Sequence, residues 1–268
     1  MWVDTHCHLD AGEFGAGSAA VADQAAAAGV RAIVIPAIAR ANFDTVVQLA
    51  HQVGNGVYAL GIHPLFVPSA QPSDLVALRV AIGQAMDDPL FIGIGEIGLD
   101  FFVPQLKEPA MREKQELFLA EQLKMARDFA LPVLLHVRRS QDIVLKHLRR
   151  IRVPGGIAHA FNGSFQQAEA YIGLGLHLGF GGAMTFPRAL QIRRLATELP
   201  LSSLVLETDA PDIAPAWRHP EVNTPDQIPR IGQVLAELRG ITQEQVAAAS
   251  TAAALATLPR LASSGLAF

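Results

Sequence analysis

Short runs of apolar residues recur along the chain, and longer segments with helix-forming composition separate them. Ala32-Ile33-Val34-Ile35 is one such run, and Pro36 closes it. A continuous apolar run of this length is typical of a strand in a parallel sheet, where both faces are buried. The segments between the runs, such as the alanine-rich stretch from Ser18 to Gly29, have the length of a helix. This alternation predicts parallel strands that are connected by helices.

Eight strand–helix units can be placed along the chain. The predicted strands are 2–8, 32–35, 57–62, 90–94, 132–136, 157–159, 176–180 and 203–206. The predicted helices are 18–29, 42–53, 72–86, 109–129, 140–150, 164–173, 188–199, 225–238 and 242–258. Ser18, Ser140 and Ser164 are expected to cap three of these helices. No break in composition marks a second domain, so residues 1–268 are predicted to form a single domain. Eight units favour an α/β fold closed into a (β/α)8 TIM barrel over an open sheet.

Composition agrees with this fold and narrows the classes of function. The chain has 268 residues, and a barrel of this kind typically has about 250. Half of the residues are apolar and 17% are charged, which excludes disordered and fibrous proteins. The formal net charge is −4, and no long run of lysines or arginines is present. Because proteins that bind along a DNA duplex usually carry a basic stripe, we expect no extended duplex binding. Phosphate bound at a metal centre remains compatible with this charge.

The chain shows no signal for secretion or membrane insertion. It contains a single cysteine, so no internal disulfide can form. The sequence reaches His6 without the basic and apolar regions of a signal peptide. The apolar window Ala25–Ala39 is too short for a membrane span and is broken by Gly29, Arg31 and Pro36. We expect a cytoplasmic protein that has no membrane association and no obligate protein partner.

Two histidines near the start of the chain are candidate metal ligands. Trp2 and Val3 lead into Asp4-Thr5-His6-Cys7-His8. Side chains on a strand alternate between its faces, so His6 and His8 should point the same way, with Cβ atoms roughly 7 Å apart. Both imidazoles can then reach one metal ion, whereas the intervening cysteine points away from it. One such pair of histidines is only moderately specific for a metal site.

Four more residues of metal-binding type lie at the ends of later strands. They are Glu96, His136, His159 and Asp209. In a TIM barrel, functional residues sit at the C-terminal ends of the strands, where all of these candidates fall. Imidazole and carboxylate ligands suit Zn²⁺, Mn²⁺, Fe²⁺ or Co²⁺. Six ligands exceed the three that one catalytic zinc ion uses. Two ions about 3.5–4 Å apart therefore fit better, with Glu96 as the bridging carboxylate.

Other polar residues near these strand ends have two possible roles each. His63 ends the third strand and could donate a hydrogen bond to a substrate oxygen or serve packing. Arg138 follows His136 by two residues and could bind an anionic substrate or be an ordinary surface arginine. Asp4 and Glu207, predicted one layer below the ligands, could orient metal-bound histidines or make core hydrogen bonds.

The remaining histidines lie elsewhere. His51 and His147 fall within predicted helices, and His177 falls at the entry end of the seventh strand. We interpret these three as solvated or structural. His219 lies in the long loop after the eighth strand and could approach the site.

The motifs at the strand ends resemble those of the TatD family. This family consists of metal-dependent hydrolases of the amidohydrolase superfamily that are commonly described as deoxyribonucleases. The resemblance spans nearly the whole chain in the right order. It rests on Asp4-Thr5-His6-Cys7-His8, Gly61-Ile62-His63-Pro64, Gly95-Glu96-Ile97-Gly98-Leu99-Asp100, Leu131-Pro132-Val133-Leu134-Leu135-His136, His159-Ala160-Phe161-Asn162-Gly163-Ser164 and Glu207-Thr208-Asp209-Ala210-Pro211.

The resemblance implies a TIM barrel with two divalent ions, which could be Mg²⁺, Mn²⁺ or Zn²⁺. It implies that His63 and Arg138 face a phosphate, and it matches Gln115 and Phe118 to family positions on the long helix. The ligands it implies are the six residues that the strand ends indicate, namely His6, His8, Glu96, His136, His159 and Asp209.

Two loops depart from the family pattern. An arginine often follows the aromatic pair after Gly-Glu-Ile-Gly-Leu-Asp, but here Phe101-Phe102 leads to Val103-Pro104. The loop after the eighth strand keeps Asn223 and Pro225 but lacks the usual Arg-Gly-Lys run. Both loops frame the mouth of the predicted barrel, so the departures bear on the substrate and leave the metal ligands intact.

Three hypotheses about function follow. The first is a TatD-type deoxyribonuclease or exonuclease that cleaves phosphodiesters in single-stranded or end-exposed DNA with a metal-activated water. Asp209 would accept the proton of that water, the role it has in related amidohydrolases, and Glu96 would bridge the ions. The second hypothesis keeps the metal centre but cleaves a small amide or ester. The third is a non-enzymatic scaffold with a vestigial site, which the presence of all six ligand residues disfavours.

Overall fold

The apolar runs form eight parallel strands, each paired with the next one along the chain. The computed structural model describes residues 1–268. The strands are β1 (Trp2–Asp4), β2 (Val30–Pro36), β3 (Gly56–Leu60), β4 (Phe91–Asp100), β5 (Val133–Arg138), β6 (Gly156–Ala158), β7 (Leu176–Phe180) and β8 (Leu204–Leu206).

The segments after β8 and β1 run alongside each other and close the sheet. The backbone N–H of Thr5 donates to the carbonyl oxygen of Leu206 at 3.1 Å, and that of Asp209 donates to His6 at 2.8 Å. A further bond of 2.8 Å joins the N–H of His8 to the carbonyl of Ala210. The predicted (β/α)8 barrel is therefore confirmed.

Nine α-helices surround the barrel, as the pattern of the sequence predicts. They are α1 (Ser18–Ala27), α2 (Phe43–Gln52), α3 (Pro72–Ala85), α4 (Pro109–Asp128), α5 (Gln141–Arg150), α6 (Phe165–Gly173), α7 (Leu190–Glu198), α8 (Ile228–Arg239) and α9 (Gln243–Thr257). None of them has both the length and the apolar character that crossing a membrane requires.

Of the three serines predicted as caps, only Ser164 caps its helix with its side chain. Its Oγ accepts from the backbone N–H of Gln167 at 3.1 Å. The prediction is wrong for Ser18 and Ser140, whose hydroxyls donate to the carbonyl oxygens of Leu9 and Leu99, both at 2.7 Å. These two serines therefore tie the starts of α1 and α5 to the segments that follow β1 and end β4.

Two apolar layers hold the barrel together. The larger one packs the outer faces of the strands against the helices. A smaller one gathers strand residues such as Val34, Ile92 and Val205 with Leu258 and Leu261, which follow α9. Branched side chains from successive strands fill the interior of a TIM barrel in this way. The end of α9 thus closes the N-terminal end of the barrel and leaves the C-terminal end open for the polar residues.

Strand β4 is longer than predicted and carries the centre of the candidate site. It continues past Ile94 to Asp100, which pairs with Arg138 of β5. Glu96 therefore lies within a strand and not in a loop. Gly98, with a φ of 149°, makes this close approach to β5 possible, because a Cβ there would lie 1.9 Å from the carbonyl oxygen of His136.

Candidate metal centre

Glu96 lies at the centre of a cluster of imidazoles and is almost completely buried. Its Oε2 lies 3.0 Å from Nε2 of His6 and 3.3 Å from Nε2 of His8. Those two Nε2 atoms are themselves 3.3 Å apart. The prediction that the two histidines converge on one point is thus met, although β1 ends at Asp4 and they follow it in an irregular segment.

The other carboxylate oxygen of Glu96 faces a second group of histidines. Oε1 lies 2.9 Å from Nδ1 of His136, 3.1 Å from Nε2 of His159 and 3.2 Å from Nε2 of His63. The two oxygens of one carboxylate therefore serve two separate sets of nitrogen atoms. This is the arrangement expected of a carboxylate that offers one oxygen to each of two ions.

Asp209 completes the first group. Its Oδ1 lies 3.7 Å from Nε2 of His6 and 3.8 Å from Nε2 of His8. The backbone of Asp209 adopts a φ of 55°, in the left-handed region that aspartate enters more readily than most residues. Strained backbone of this kind is common at functional sites. It directs the carboxylate from the end of β8 toward the segment after β1.

The proton on His136 is placed by Asp100. Oδ2 of Asp100 lies 3.2 Å from Nε2 of His136, and Asp100 is fully buried. Oδ1 of the same carboxylate accepts the backbone N–H groups of Phe102 at 2.7 Å and Val103 at 3.1 Å. Because an ionised carboxylate only accepts hydrogen bonds, Nε2 of His136 carries the proton. Its Nδ1, which faces the ionised Glu96, would then offer a lone pair to a cation held between them, as in carboxylate–histidine–metal triads.

Glu207 has a similar relation to His159. Its Oε1 lies 3.6 Å from Nδ1 of His159 and also accepts the backbone N–H of Ala160. Gly179 provides the space for this carboxylate, since a Cβ there would lie 2.1 Å from Oε2 of Glu207. The hydrogen bond from Ala160 is the core bonding predicted as one of the two roles of Glu207, and its orienting role toward His159 stays a prediction.

His63 differs from the other histidines in its hydrogen bonding. The backbone N–H of Leu65 donates to Nδ1 of His63 at 3.1 Å. In a neutral imidazole whose Nδ1 accepts, the proton lies on Nε2. His63 therefore faces Glu96 with its protonated Nε2, whereas His136 faces it with Nδ1.

Burial and charge shift the pKa values within the cluster in different directions. Burial lowers the pKa of His6 to about 3 and that of His63 to about 4, so both imidazoles are neutral near pH 7. Burial opposes the ionisation of Glu96, but the surrounding imidazoles outweigh it and hold its pKa well below the usual range. Burial also raises the pKa of Asp209 to about 6, although His159 and His8 counteract it.

Arg138 lies at the mouth of the barrel and is half exposed. Its guanidinium carbon is 3.9 Å from the centre of the Phe102 ring, and its Nη1 is 3.9 Å from Oδ2 of Asp100. The structure therefore places Arg138 beside the cluster, one carboxylate away from His136.

Asp4 and the remaining histidines lie outside the cluster. Asp4 accepts hydrogen bonds from the hydroxyl and the backbone N–H of Thr208, which is the core hydrogen bonding predicted as one of its two roles. The other histidines bond or pack elsewhere: His51 to Asp88, His147 to Glu116, half-buried His177 near the start of β7, and His219 edge-on against Phe186.

The role of Asp100 and the contact made by Gln115 are not apparent from the sequence. Oε1 of Gln115, on α4, accepts the backbone N–H of Asp100 at 2.9 Å. Oε1 of Gln122, about two turns further along the same face of α4, accepts the N–H of Ile62 at 2.7 Å. A glutamine on the buried face of a helix could have indicated these contacts, because a buried amide needs hydrogen-bond partners. Through these two residues α4 fixes the ends of β3 and β4.

The donor set fits divalent metal ions. Three groups each bring three ligand atoms within 4.8 Å of one another: His6, His8 and Asp209; His6, Glu96 and His159; and His63, Glu96 and His136. Neutral imidazole nitrogens and carboxylate oxygens are suitable ligands for such ions. The Nε2 atoms of His6 and His8 both face the same oxygen of Glu96. One metal ion can bind all three of these atoms, whereas one proton cannot bridge them.

The chain is similar to known proteins over almost its whole length. A sequence model of the family described as TatD related DNase matches residues 3–258. The protein YjjV of Escherichia coli K12, named an uncharacterized metal-dependent hydrolase, is 39% identical over 249 residues, which are 92% of this chain and 94% of YjjV. Human TATDN3, named a deoxyribonuclease, is 31% identical over 267 residues, 97% of this chain and 95% of TATDN3. The crystal structure of YjjV has a TM-score of 0.90 at 38% identity, covering 96% of this chain and 98% of that one.

Proposed function

Because the chain belongs to the TatD family of metal-dependent hydrolases, we propose that it is a phosphodiesterase that acts on single-stranded or exposed ends of DNA. The observation that carries this proposal is the position of Glu96, whose two carboxylate oxygens face two separate sets of imidazoles. Two ions held by the two oxygens would suit a phosphodiester, in which an attacking water oxygen and a leaving oxygen both need stabilisation.

Six residues would hold two divalent ions. His6, His8 and Asp209 would hold one and His136 and His159 the other, with Glu96 shared between them. When bound, such ions polarise the phosphoryl oxygens and lower the pKa of a water molecule toward about 7. Mg²⁺, Mn²⁺ and Zn²⁺ are all candidates.

Asp209 is the proposed general base. Its carboxylate is the most solvent-accessible acidic group of the cluster, 14% exposed against 1% for Glu96. A base must reach the water that it deprotonates, and a fully enclosed carboxylate does not. Asp209 therefore accepts the proton of the attacking water at Oδ1 or Oδ2, while Glu96 stays ionised between the imidazoles.

His63 and Arg138 are proposed to contact the phosphate. His63 carries its proton on Nε2 and can donate it in a hydrogen bond to a substrate oxygen at the centre of the cluster. Arg138 lies at the mouth with a guanidinium that makes no hydrogen-bonded ion pair, because its nearest acidic oxygen is 3.9 Å away. Both groups stabilise charge that develops on the phosphoryl oxygens.

The choice of DNA rests on relatives and on charge. Human TATDN3 is named a deoxyribonuclease. A net charge of −4 does not favour binding along a duplex, but it is compatible with a strand end that enters the barrel mouth. Single-stranded or end-exposed DNA therefore fits this chain better than intact duplex.

A substrate panel with Asp209→Asn tests this proposal. Metal-loaded protein is assayed on bis(p-nitrophenyl) phosphate, a single-stranded oligonucleotide, p-nitrophenyl acetate and a p-nitroanilide. We expect turnover of the two phosphodiesters, and a fall of about 10²–10⁴-fold in kcat in Asp209→Asn. Asp212→Asn, which removes an exposed carboxylate three residues away, is the matched control. Turnover of the ester or anilide alone would instead assign the centre to carbonyl substrates.

A further inference from the structure

Three cationic side chains surround the ring of Phe102 at the mouth of the barrel. The guanidinium carbons of Arg138 and Arg139 lie 3.9 Å and 4.7 Å from the ring centre, and Nζ of Lys107 lies 6.0 Å from it. Phe102 itself is 40% exposed. Cations within about 6 Å of an aromatic face are attracted to it, so the ring holds the three charges together despite their repulsion. We call these four residues the Phe102 cluster.

The charges of this cluster are not neutralised by the protein. Arg139 and Lys107 have no acidic oxygen within 4.0 Å, and Arg138 has only Oδ2 of Asp100 at 3.9 Å. Other surface arginines do form ion pairs, for example Arg194 with Glu198 at 3.0 Å. Exposed guanidinium groups that are left unpaired are suited to bind phosphate. This local excess of positive charge lies in a chain with a net charge of −4.

The cluster is fixed relative to the metal centre. The backbone N–H of Phe102 donates to Oδ1 of Asp100, whose Oδ2 contacts His136. Arg138 is two residues beyond His136 on β5. A single buried carboxylate thus positions both a candidate metal ligand and the ring that gathers the cations. A phosphate bound by the cluster would therefore lie at a constant distance from the reacting one.

We propose that Arg139 and Lys107 of the Phe102 cluster form a second anion site, which binds a phosphate adjacent to the scissile one in single-stranded nucleic acid, while Arg138 contacts the scissile phosphate itself. This inference rests on the proposed phosphodiesterase function. The substrate would then be an oligonucleotide with several phosphates and not an isolated phosphodiester. Arg139 directly follows β5 and Lys107 lies in the segment after β4, so both cations are on the side of the barrel where the strands end.

Equilibrium binding with a change of salt tests this site. The probes are fluorescein-labelled hexathymidylate and dithymidylate with cleavage-resistant phosphorothioate linkages, titrated with metal-loaded protein at several KCl concentrations and followed by fluorescence anisotropy. We expect the wild type to bind the hexamer at least tenfold more tightly than the dinucleotide. In Arg139→Gln/Lys107→Gln this preference should fall about tenfold, and the slope of log Kd against log salt should fall by about 1.4, since each lost contact contributes about 0.7.

Two further variants separate the cluster from general charge and from folding. Arg152→Gln removes one exposed cation from the loop that enters β6, at the opposite end of the barrel, and should leave Kd and slope as in the wild type. Phe102→Leu keeps all three cations but not the ring, so the hexamer should bind about threefold more weakly with the salt slope retained.

The outcomes are distinct for this site and for the proposed function. Equal binding of hexamer and dinucleotide by the wild type, or an unchanged preference in Arg139→Gln/Lys107→Gln, would overturn the second anion site. Tight, salt-dependent binding of the hexamer that these substitutions weaken supports the site. If that binding occurs without hydrolysis of any unmodified phosphodiester, the site stands and the proposed function fails.

Discussion

The backbone N–H of Leu65 donates a 3.1 Å hydrogen bond to Nδ1 of His63. This contact places the proton of His63 on Nε2, and Asp100 places the proton of His136 on Nε2 as well, but His63 turns Nε2 toward Glu96 whereas His136 turns Nδ1. Both rings face the same oxygen of Glu96, at 3.2 Å and 2.9 Å. His63 faces that oxygen with its N–H, and His136 faces it with the nitrogen that would ligate a cation. The two histidines should therefore differ in function although they are neighbours in space.

Substitution of the two histidines should separate metal binding from substrate contact. His63→Ala is expected to keep the wild-type metal content but lose about 10²–10³-fold in kcat, because it removes a donor to the substrate and not a ligand. His136→Ala should lose one of the two ions. Elemental analysis of the purified variants, with His51→Ala as the surface control, measures the difference. Loss of an ion in His63→Ala would show that His63 is a ligand.

Asp100→Asn tests how the proton on His136 is placed. The amide oxygen of asparagine would still be needed by the N–H groups of Phe102 and Val103, so its NH₂ would face Nε2 of His136. Two donors would then oppose each other, and His136 would have to move its proton to Nδ1, the nitrogen that faces Glu96.

We therefore expect Asp100→Asn to weaken metal binding by about 10–100-fold, the usual effect of losing such an outer carboxylate. Metal titration of chelator-treated protein measures this change. Asp128→Asn, at the end of α4, is the matched control and should bind as the wild type does. Unchanged affinity in Asp100→Asn would mean that the carboxylate only fastens the loop at Phe102.

The order of the strands and the convergence of the candidate ligands could be predicted because both follow from simple periodicity. Apolar runs such as Ala32-Ile33-Val34-Ile35 are buried in any arrangement of parallel strands. The C-terminal ends of eight such strands meet at one face, which brings Glu96 and Asp209 together without knowledge of the loops. The fold and the cluster of candidate ligands could be predicted for this reason.

The roles of individual side chains depended on contacts that the sequence does not encode locally. The proton of His63 is placed by the nearby N–H of Leu65. The proton of His136 is placed by Asp100, which only the pairing of β4 with β5 brings next to it. Ser140 was predicted to cap α5 by accepting a backbone N–H, but its hydroxyl instead donates to the carbonyl oxygen of Leu99 on β4. The Phe102 cluster likewise joins two loops that are more than thirty residues apart.

Arg260 is expected to stabilise the N-terminal end of the barrel. Its guanidinium donates to three backbone carbonyl oxygens, those of Phe91 at 2.6 Å and of Met86 and Asp88 at 2.9 Å. Arg260→Met should lower the free energy of unfolding by about 2 kcal/mol and the Tm by about 4–8 °C, since charged hydrogen bonds to half-buried acceptors are lost.

Thermal unfolding of Arg260→Met beside Arg152→Met measures this loss, because Arg152 is an exposed arginine without such acceptors. Metal content should be unchanged in both variants. An Arg260→Met protein as stable as the wild type would show that water replaces the guanidinium at these carbonyls without cost.

Asp88 should make stability depend on pH. Burial raises its pKa, but hydrogen bonds from the N–H of Leu90, from His51 and from Tyr58 outweigh burial, so the pKa in the folded protein is lowered. A carboxyl group with a lowered folded pKa stabilises the protein above its unfolded pKa, near 3.9, and this contribution disappears as the pH falls through the folded value.

Urea unfolding from pH 7 to pH 3 should therefore show Asp88→Asn less stable than the wild type at pH 5–7, with the gap narrowing toward pH 3. Glu13→Gln, an exposed carboxylate, should show no such gap. A gap of constant size across the range would assign the effect of Asp88→Asn to packing and not to charge.

The most direct test of the metal-dependent phosphodiesterase proposal is digestion of an end-labelled single-stranded oligonucleotide. Chelator-treated protein is assayed before and after Mg²⁺, Mn²⁺ or Zn²⁺ is restored, beside Glu96→Gln, which keeps the shape of the central side chain but removes its charge. The account predicts shortening from one end only with metal restored, and a loss of at least about 10³-fold in Glu96→Gln. Metal-independent digestion, or digestion that survives in Glu96→Gln, would contradict it.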